Sequence, residues 1–339
     1  MKVLVLGGAG YIGSILCPYL VEKGNEVTIF DTFLYNQKRD KSSKYRYVEG
    51  DICKINNLLP EIERADAIVN LAAISNDPAS DLRPISTWNI NYKANETIAS
   101  LCRATNKRVI YASSCSVYGF SNEGVFDEDS KLSPVTLYAK TKMLSEKYYL
   151  EKDINAIILR FATVYGFSEK PRFDLVVNTM IGTSFFNGEI IVNGGNQWRP
   201  IVHVKDVCKA IYLSLIVEKP KNRIYNVASN EQNYTIAKLG ELIYSNIKDV
   251  KLIIREDSID GRSYKVDFSR IQRDLGFKTE YSVEYAIEEF YQAFNYKLIN
   301  NMEDDEYYRV KYLKNRLFPE NIGKKLISRF QYRKLLNLL

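Results

Sequence analysis

The first 31 residues restrict the possible folds of this chain more than any other stretch. An apolar run at residues 3–6 leads directly into glycines at positions 7, 10 and 13. Apolar residues then recur at helical spacing as far as Gly24, and a second apolar run, residues 27–30, ends at Asp31. A strand, a glycine turn, a helix, a strand and an acid within about 30 residues are the pattern of a dinucleotide-binding unit.

The glycines and the acid suit different parts of a dinucleotide. Glycines allow backbone amides at the start of the helix to approach a pyrophosphate. The carboxylate of Asp31 can accept hydrogen bonds from both ribose hydroxyls, and it repels a 2′-phosphate. The pattern therefore predicts NAD rather than NADP as the cofactor. The alternative is a glycine turn with a purely structural role.

Tyr138 and Lys142 form a second informative pattern. They lie one helical turn apart, so the phenol and the ammonium share a face of the predicted helix. A phenol has a pKa near ~10, and a neighbouring ammonium favours the phenolate and lowers that pKa. The pair is therefore predicted to transfer protons beside the dinucleotide. An isolated Tyr-x-x-x-Lys is often only the exposed face of a helix, so the surrounding sequence has to support this interpretation.

Further apolar runs alternate with helical patterns along the chain. Strands are predicted at residues 45–49, 67–71, 108–112 and 156–161, and helices at residues 88–102 and 138–151. This alternation predicts an α/β fold, a Rossmann doubly wound parallel sheet. Ligands of such sheets bind beyond the carboxyl ends of the strands, where Asp51 and residues 70–73, 113–116 and 161–163 fall.

The predicted organisation has three parts. Residues 1–165 form the NAD-binding Rossmann domain, which later segments can rejoin. Residues 166–300 form mainly a smaller α/β substrate domain, with a helix near residues 174–186 and a strand at residues 190–192. Residues 301–339 form a basic extension, which carries four of the six net positive charges of the chain. A basic tail with leucines could touch an acidic membrane surface or a partner, but its apolar residues share no clean helical face, which favours a loosely packed extension.

Composition excludes several classes of protein. The 339 residues are 46% hydrophobic and 26% charged, as in soluble globular proteins, and no apolar run approaches the ~20 residues of a membrane span. No signal peptide is recognised, so the cytoplasm is expected. The net charge of +6 suits an anionic small molecule, although excess surface lysine explains it equally well. No nucleic-acid-binding module is recognised, so no nucleic acid partner is expected.

The histidine and cysteine content argues against metal and hydrolytic sites. His203 is the only histidine, which leaves little room for Ser-His-Asp hydrolysis and excludes a multi-histidine metal centre. We expect it to be structural. The five cysteines are scattered without a Cys-x-x-Cys pair, so reduced thiols are expected rather than disulfides or zinc ligands.

These motifs and several others resemble those of the extended short-chain dehydrogenase/reductases that act on nucleotide sugars, a group of 4-epimerases, 4,6-dehydratases and 4-ketoreductases. The resemblance covers residues 1 to about 294. The matching segments are Gly-Gly-Ala-Gly-Tyr-Ile-Gly at 7–13, Gly-Asp-Ile at 50–52, Leu-Ala-Ala at 71–73, Ser-Ser-Cys-Ser-Val-Tyr-Gly at 113–119, Tyr138-x-x-x-Lys142, Leu-Arg-Phe-Ala-Thr-Val-Tyr-Gly at 159–166, Arg-Pro-Ile-Val-His-Val-Lys-Asp at 199–206, and Arg262 before Tyr264.

The resemblance implies a catalytic trio of Ser114, Tyr138 and Lys142. Tyr138 would take a proton from a sugar hydroxyl, Ser114 would hydrogen-bond the sugar oxygen, and Lys142 would hold the nicotinamide ribose. The implied cofactor contacts are Gly7, Gly10, Tyr11, Ile12, Gly13, Asp31, Asp51, Ile52, Leu71, Ala72, Ala73, Asn91, Tyr138 and Lys142. The implied substrate contacts are Ser114, Thr163, Asn178, Arg199 and Arg262, the two arginines on the diphosphate.

One departure from the group bears on the reaction. The dehydratases carry an Asp-Glu pair directly after the catalytic hydroxyl residue, because elimination of water needs an acid and a base. Here those positions are Cys115 and Ser116, which disfavours dehydration. The epimerases have small residues at these positions, which suits Cys115 as a space-filling thiol, and a catalytic thiol is the alternative.

The leading hypothesis is therefore an NAD-dependent nucleotide-sugar epimerase, acting at C4 through a transient 4-keto sugar. The first alternative is a one-way C4 dehydrogenase or 4-ketoreductase. The second is a non-catalytic NAD(H)-binding regulator, against which the intact trio argues. The resemblance also implies a homodimer through the helices at 88–102 and 138–151 and, by analogy alone, a role in polysaccharide synthesis. The nucleotide base, the sugar and the role of the 301–339 extension cannot be read from these residues.

Overall fold

The computed structural model describes residues 1–35, 44–120, 124–151, 154–255 and 263–317. Arg262 and residues 318–339 of the extension lie outside this described part. The strands are β1 Lys2–Leu6, β2 Glu26–Asp31, β3 Tyr45–Glu49, β4 Ala67–Asn70, β5 Arg108–Ser114, β6 Val125–Phe126, β7 Ala156–Phe161, β8 Thr163–Tyr165, β9 Glu189–Asn193, β10 Trp198–His203, β11 Ile224–Val227, β12 Asn233–Thr235, β13 Lys251–Arg255 and β14 Lys265–Val266.

The helices alternate with these strands. They are α1 Gly13–Glu22, α2 Ile55–Arg64, α3 Asp77–Leu82, α4 Pro84–Trp88, α5 Ala94–Ala104, α6 Leu137–Leu150, α7 Val176–Asn187, α8 Val204–Ile216, α9 Ile236–Ser245, α10 Ser269–Leu275, α11 Val283–Asn295 and α12 Arg309–Leu317. The helix predicted over residues 88–102 is interrupted by a π-helical turn, Asn89–Lys93, between α4 and α5. In this turn the Asn91 carbonyl accepts hydrogen bonds from the side chains of Asn95 and Ser145.

The central sheet has seven strands in the order β11-β7-β5-β4-β1-β2-β3, and every neighbouring pair is parallel. The predicted doubly wound Rossmann sheet is thus confirmed. The chain runs outward from β1 through β2 to β3 and then returns to β4 on the other side of β1. This reversal separates the loops at the carboxyl ends of β1 and β4 and opens a crevice between them. β11 shows that the chain rejoins this sheet after residue 220.

Apolar residues on both faces of the sheet pack under its helices, in two clusters that include Val5 and Leu159 on one face and Leu4 and Ile158 on the other. A separate core forms around Phe173 and Phe290 from segments after residue 164. Two small sheets, β12-β10-β8 and β13-β9, accompany it. Several of these short strands were not predicted, because three to five residues carry too little periodicity.

The start of the C-terminal extension belongs to the folded molecule. Met302, Tyr312 and Leu313 are at most 4% exposed, and Met302 packs into the core around Phe173. The expectation of a loosely packed extension is therefore wrong for residues 301–317. In the described part of the chain, no helix combines the length and apolarity required to cross a bilayer.

Candidate active site

The glycine turn joins β1 to α1 through close backbone contacts. Gly7 has a φ of +75°, and a Cβ on it would lie 2.8 Å from the backbone of Ala72. A Cβ on Gly13 would lie 2.3 Å from the carbonyl oxygen of Gly8. Glycine is therefore required at both positions, one for the left-handed conformation and both for space. The turn can thus approach the loop after β4 and expose the amides at the start of α1.

A cavity of about 530 Å³ opens at this turn. Thr32, Leu34 and Tyr35 after β2 line one side, and Ile74 and Ser75 after β4 line another. The structure brings these predicted cofactor residues together in its wall: Gly7, Gly10, Tyr11, Ile12, Gly13, Asp31, Asp51, Ile52, Leu71, Ala72 and Ala73. The cavity follows from the fold, because these residues stand at the carboxyl ends of β1 to β4, in the loops that follow, or, for Gly13, at the first position of α1.

Asp31 is held at the end of β2 by two backbone amides. Its carboxylate oxygens accept hydrogen bonds from the amides of Ala9, at 3.1 Å, and Phe33, at 3.0 Å. Burial raises the pKa of Asp31, while these hydrogen bonds and the charge of Arg309 act in the opposite direction. A carboxylate beside glycine backbone at a helix start fits the ribose and pyrophosphate of NAD.

Asn91 is not a lining residue of this cavity. It is 1% exposed, its Oδ1 accepts from the Ile74 amide at 2.8 Å, and its Nδ2 donates to the Ile74 carbonyl at 2.9 Å. The predicted direct cofactor contact is therefore corrected, because both polar groups of the side chain are used within the fold. Asn91 instead holds the loop that lines the cavity.

Tyr138 and Lys142 lie on the first turns of α6. Thr136 starts this helix, with its hydroxyl accepting from the Ala139 amide at 3.2 Å. Lys142 is 3% exposed, and its Nζ donates to the carbonyl of Ala112 at 2.6 Å and lies 5.7 Å from the Tyr138 ring centre. Ser114, the last residue of β5, is near enough to Tyr138 for its side chain to act on the pKa of the phenol. The fold thus joins the predicted trio through α6 and the end of β5.

The protonation of this pair differs from the sequence prediction. Burial raises the pKa of Tyr138 to about 12, assisted by the charge of Asp77 and opposed by Arg172 and the Ser114 hydrogen bond. Burial lowers the pKa of Lys142 to about 7, against the opposite influence of Glu146. The predicted lowering of the tyrosine pKa is therefore wrong for this structure, because burial disfavours the charged form of both groups.

A second cavity, of about 510 Å³, adjoins α7 and β10. Thr163 and Arg199, both predicted substrate contacts, line it together with Thr179 and Gln197. Arg199 donates from Nη1 to the carbonyl of Trp198 at 2.9 Å.

Asn178 does not contribute to this second cavity. It is fully buried, accepting from the Gly166 amide at 3.0 Å and donating to the Arg172 carbonyl at 3.1 Å. Its predicted substrate contact is corrected, because α7 turns the amide into the core.

Three arginines that line the first cavity were not predicted from the sequence: Arg83, Arg172 and Arg309. Arg172 forms a two-point ion pair with Asp174, at 2.9 Å for both contacts, and donates to the Ser75 hydroxyl at 3.1 Å. No local pattern marks these arginines, since they come from three separate segments and meet only in the folded chain.

Cys115 and His203 have structural environments. Cys115 is fully buried, its thiol lies 3.3 Å from the Arg160 carbonyl, and burial raises its pKa, so the alternative of a catalytic thiol is not supported. The fully buried His203 caps α8 by accepting from the Lys205 amide at 3.3 Å and pairs with Glu289 at 3.1 Å, which confirms a structural role. All five cysteines are free thiols, and the described residues contain no cluster of three metal-ligating side chains.

Comparison with known proteins identifies the family. The model of the NAD dependent epimerase/dehydratase family matches residues 3–228, well over half of the chain. The chain belongs to this family. NAD is its cofactor, and the glycine turn, Asp31 and the first cavity are the features of the structure that fit it. The protein is therefore an enzyme of the NAD-dependent epimerase/dehydratase type.

Relatives of this chain include both epimerases and dehydratases. The UDP-glucose 4-epimerase of Lactobacillus helveticus is 29% identical over 257 residues, covering 68% of this chain and 77% of that protein. The dTDP-D-glucose 4,6-dehydratase of Homo sapiens is 28% identical over 258 residues, covering 71% of this chain and 73% of that protein. The solved structure of MoeE5 in complex with UDP-glucose and NAD is 25% identical with a TM-score of 0.76, covering 88% of this chain and all of that one. Overall similarity does not distinguish epimerisation from dehydration, so the distinction has to be made from the residues of the site.

Proposed function

We propose that this protein is an NAD-dependent nucleotide-sugar 4-epimerase. The observation that carries the proposal is the pair of residues after Ser114. Cys115 is buried against the Arg160 carbonyl, and the backbone amide of Ser116 donates a hydrogen bond to the Ser114 hydroxyl at 3.2 Å. Neither supplies the carboxylate that elimination of water requires, while Ser114, Tyr138 and Lys142 remain suited to moving a proton on a sugar hydroxyl.

The trio has distinct roles in this proposal. NAD, when bound, supplies reversible hydride exchange with a carbon of the sugar. Tyr138 takes the proton of the C4 hydroxyl as that carbon is oxidised, and it returns the proton when the 4-keto sugar is reduced from the opposite face. Burial raises the pKa of Tyr138, and Arg172 and the Ser114 side chain act against that rise, toward the phenolate that accepts the proton. Lys142, whose Nζ donates to the Ala112 carbonyl, would hold the nicotinamide ribose.

The proposed substrate site is the second cavity. Arg199 contacts the diphosphate there, and Thr163 contacts the sugar. Arg262, outside the described residues, remains a predicted diphosphate contact. The ligands of the relatives support this substrate class, since MoeE5 was solved with UDP-glucose and the Lactobacillus relative is a UDP-glucose 4-epimerase.

A homodimer is part of the proposal. The rings of Trp88 and Tyr92 lie 4.5 Å apart, and those of Tyr92 and Tyr148 lie 5.3 Å apart, forming an aromatic group that is only half buried beside α5 and α6. Sedimentation velocity measures the mass directly, and a species with the mass of one chain at micromolar concentration would contradict a dimer.

The cytoplasmic location of the protein also stays a prediction.

An NMR time course tests the activity. The purified protein, without added nicotinamide, is incubated with UDP-, GDP-, CDP- and dTDP-sugars. We expect a C4 stereoisomer of one of these sugars to form over many turnovers per enzyme, because NAD is regenerated in each cycle. Turnover that stops at one per enzyme, or that requires added NAD or NADH, would establish the one-way oxidoreductase instead. No reaction with any sugar, despite bound NAD, would favour the regulator.

A further inference from the structure

Arg309, the first residue of α12, is a buried arginine in the wall of the NAD cavity. It is 6% exposed, and its guanidinium carbon lies 3.9 Å from the centre of the Tyr35 ring, which lines the same cavity. This residue lies 81 positions beyond the end of the segment matched by the family model at residue 228. Part of the cavity wall is therefore formed by a segment that lies outside the cofactor-binding motifs of the sequence.

The charge of Arg309 has no carboxylate partner at ion-pair distance within the described ranges. Asp174 is engaged by the Arg172 guanidinium at 2.9 Å and by the Asn76 side chain at 2.7 Å, and it receives only the backbone amide of Arg309. Asp31 is engaged by the amides of Ala9 and Phe33. A buried guanidinium without an anion is costly, so an anionic ligand in the cavity would stabilise it.

Its surroundings show where in the cavity this charge acts. The pKa of Arg309 is lowered to about 10, first by burial and then by the charge of Arg172, and Asp31 acts in the opposite direction. Arg309 lines the same cavity as Asp31 and the glycine turn, and the Asp31 carboxylate itself accepts a hydrogen bond from the Ala9 amide of that turn. The phosphates of a dinucleotide occupy the interval between these two points.

We propose that Arg309 binds the diphosphate of NAD, so that α12 forms an outer wall of the cofactor site. A guanidinium suits this role, because its planar donors match phosphate oxygens while its face stacks on Tyr35. The proposal rests on the NAD cofactor of the family and not on the proposed sugar chemistry.

α12 is fastened to the cavity at two further points. The Tyr312 hydroxyl donates to the carbonyl of Leu34 at 2.6 Å, and its ring lies 4.9 Å from that of Tyr35. Leu313 is 4% exposed and also lines the cavity. These contacts hold the helix against the loop that directly follows Asp31 at the end of β2.

Binding of NAD, ADP and adenosine to the full-length protein tests the proposal. After bound NAD has been removed, titration calorimetry, or competition for weak ligands, is performed on the wild type, Arg309→Met and the control Lys311→Met. Lys311 lies on the same helix, but it pairs with Glu303 at 2.7 Å and has a side chain that is 42% exposed. We expect Arg309→Met to weaken NAD and ADP roughly ten- to hundredfold and to leave adenosine and the Lys311→Met control unchanged.

Two results would overturn the proposal. One is unchanged NAD and ADP affinity in Arg309→Met, and the other is an equal loss for adenosine, which would mean that the side chain only supports the wall. If the methionine variant does not fold by circular dichroism, Arg309→Gln replaces it, with the same phosphate-specific loss expected. Because binding is measured without turnover, the outcome is independent of whether the protein is an epimerase.

Discussion

At the scale of single residues, burial acts on Tyr138 and Lys142 in opposite directions. It raises the pKa of the phenol to about 12 and lowers that of the ammonium to about 7, so both groups favour their neutral forms. The lysine donates to the Ala112 carbonyl and not to the phenol. This bond ties α6 to β5, while Arg172 and Ser114 only partly oppose the rise in the pKa of Tyr138.

Removing the phenol oxygen tests its place in the reaction. We expect Tyr138→Phe to lower turnover at least about 10²-fold, because a positioned proton-transfer group typically contributes that much. NAD affinity should stay within about twofold, because the phenol is not among the residues that line the NAD cavity. Turnover is measured with the sugar identified by NMR. Tyr148→Phe, which loses a 2.7 Å bond to the Tyr92 hydroxyl, is the control. Wild-type turnover in Tyr138→Phe would disprove the mechanism.

The depressed lysine pKa predicts a pH-dependent stability. The pKa of Lys142 is about 7 in the folded protein and near ~10.4 in the unfolded chain, so between these values the unfolded chain binds more protons. The free energy of unfolding of the wild type should therefore rise relative to Lys142→Met from pH 7 to 9, by up to ~1.4 kcal/mol per pH unit. Urea unfolding at pH 7, 8 and 9 measures this, with Lys140→Met as the control. Parallel wild-type and Lys142→Met profiles would contradict it.

At the scale of elements, a buried polar network positions the strand and helix that carry the trio. Glu146 of α6 and Arg160 of β7 are both 2% exposed and pair at 2.6 Å. Ser113 of β5 donates to Glu146 at 2.5 Å, and Arg160 donates to the Tyr118 hydroxyl at 2.9 Å. The Tyr118 hydroxyl then donates to Asn226 of β11 at 2.7 Å. The network thereby fixes α6 against the carboxyl end of β5.

Breaking this network should be costly. Glu146→Gln leaves the guanidinium of Arg160 buried without its counter-charge, and we expect a loss of about 3–5 kcal/mol in the free energy of unfolding. Glu151→Gln is the matched control, since its pair with Arg103 at 3.5 Å is half exposed and should contribute at most about 1 kcal/mol. Urea unfolding compares the two variants. Equal losses would show that the buried pair adds no stability.

At the scale of the whole molecule, the segment after residue 300 connects the core around Phe173 and Phe290 to both cavities. The Tyr307 ring meets the Phe173 ring edge-on at 5.5 Å, and the Phe173 amide donates to the Tyr307 carbonyl at 3.1 Å. Phe173 lies between Arg172, which lines the NAD cavity, and Asp174, which lines the second one. The packing of this segment therefore affects the walls of both the NAD cavity and the second cavity.

A substitution in this segment tests how firmly it is packed. Met302 is 2% exposed in the core around Phe173, and Met302→Ala should lower the free energy of unfolding by about 2–5 kcal/mol through lost burial and a residual cavity. Leu298→Ala, at a side chain 64% exposed, should change it by no more than about 0.5 kcal/mol. Chemical denaturation gives both values. A loss below 1 kcal/mol for Met302→Ala would mean that the segment is docked only weakly.

Local chemistry explains what could be predicted before the fold was known. The positions of β1, α1 and β2, the need for Gly7 and Gly13, and the place of Asp31 depend on backbone conformation and periodicity within a few dozen residues. Ser114, Tyr138 and Lys142 could be named because they occur in short recognisable motifs. The parallel sheet followed from the alternation of strands and helices, since parallel neighbours need crossover connections.

Contacts between distant segments determined the rest. Asn91 and Asn178 resemble ligand residues in sequence, yet each amide is taken up by backbone that lies elsewhere in the chain. Arg309 reaches the NAD cavity because Tyr312 bonds Leu34, 278 positions earlier. The pKa values of Tyr138 and Lys142 depend on how much protein surrounds them. Burial and electrostatic fields arise from the packing of the whole chain, and no local pattern encodes them.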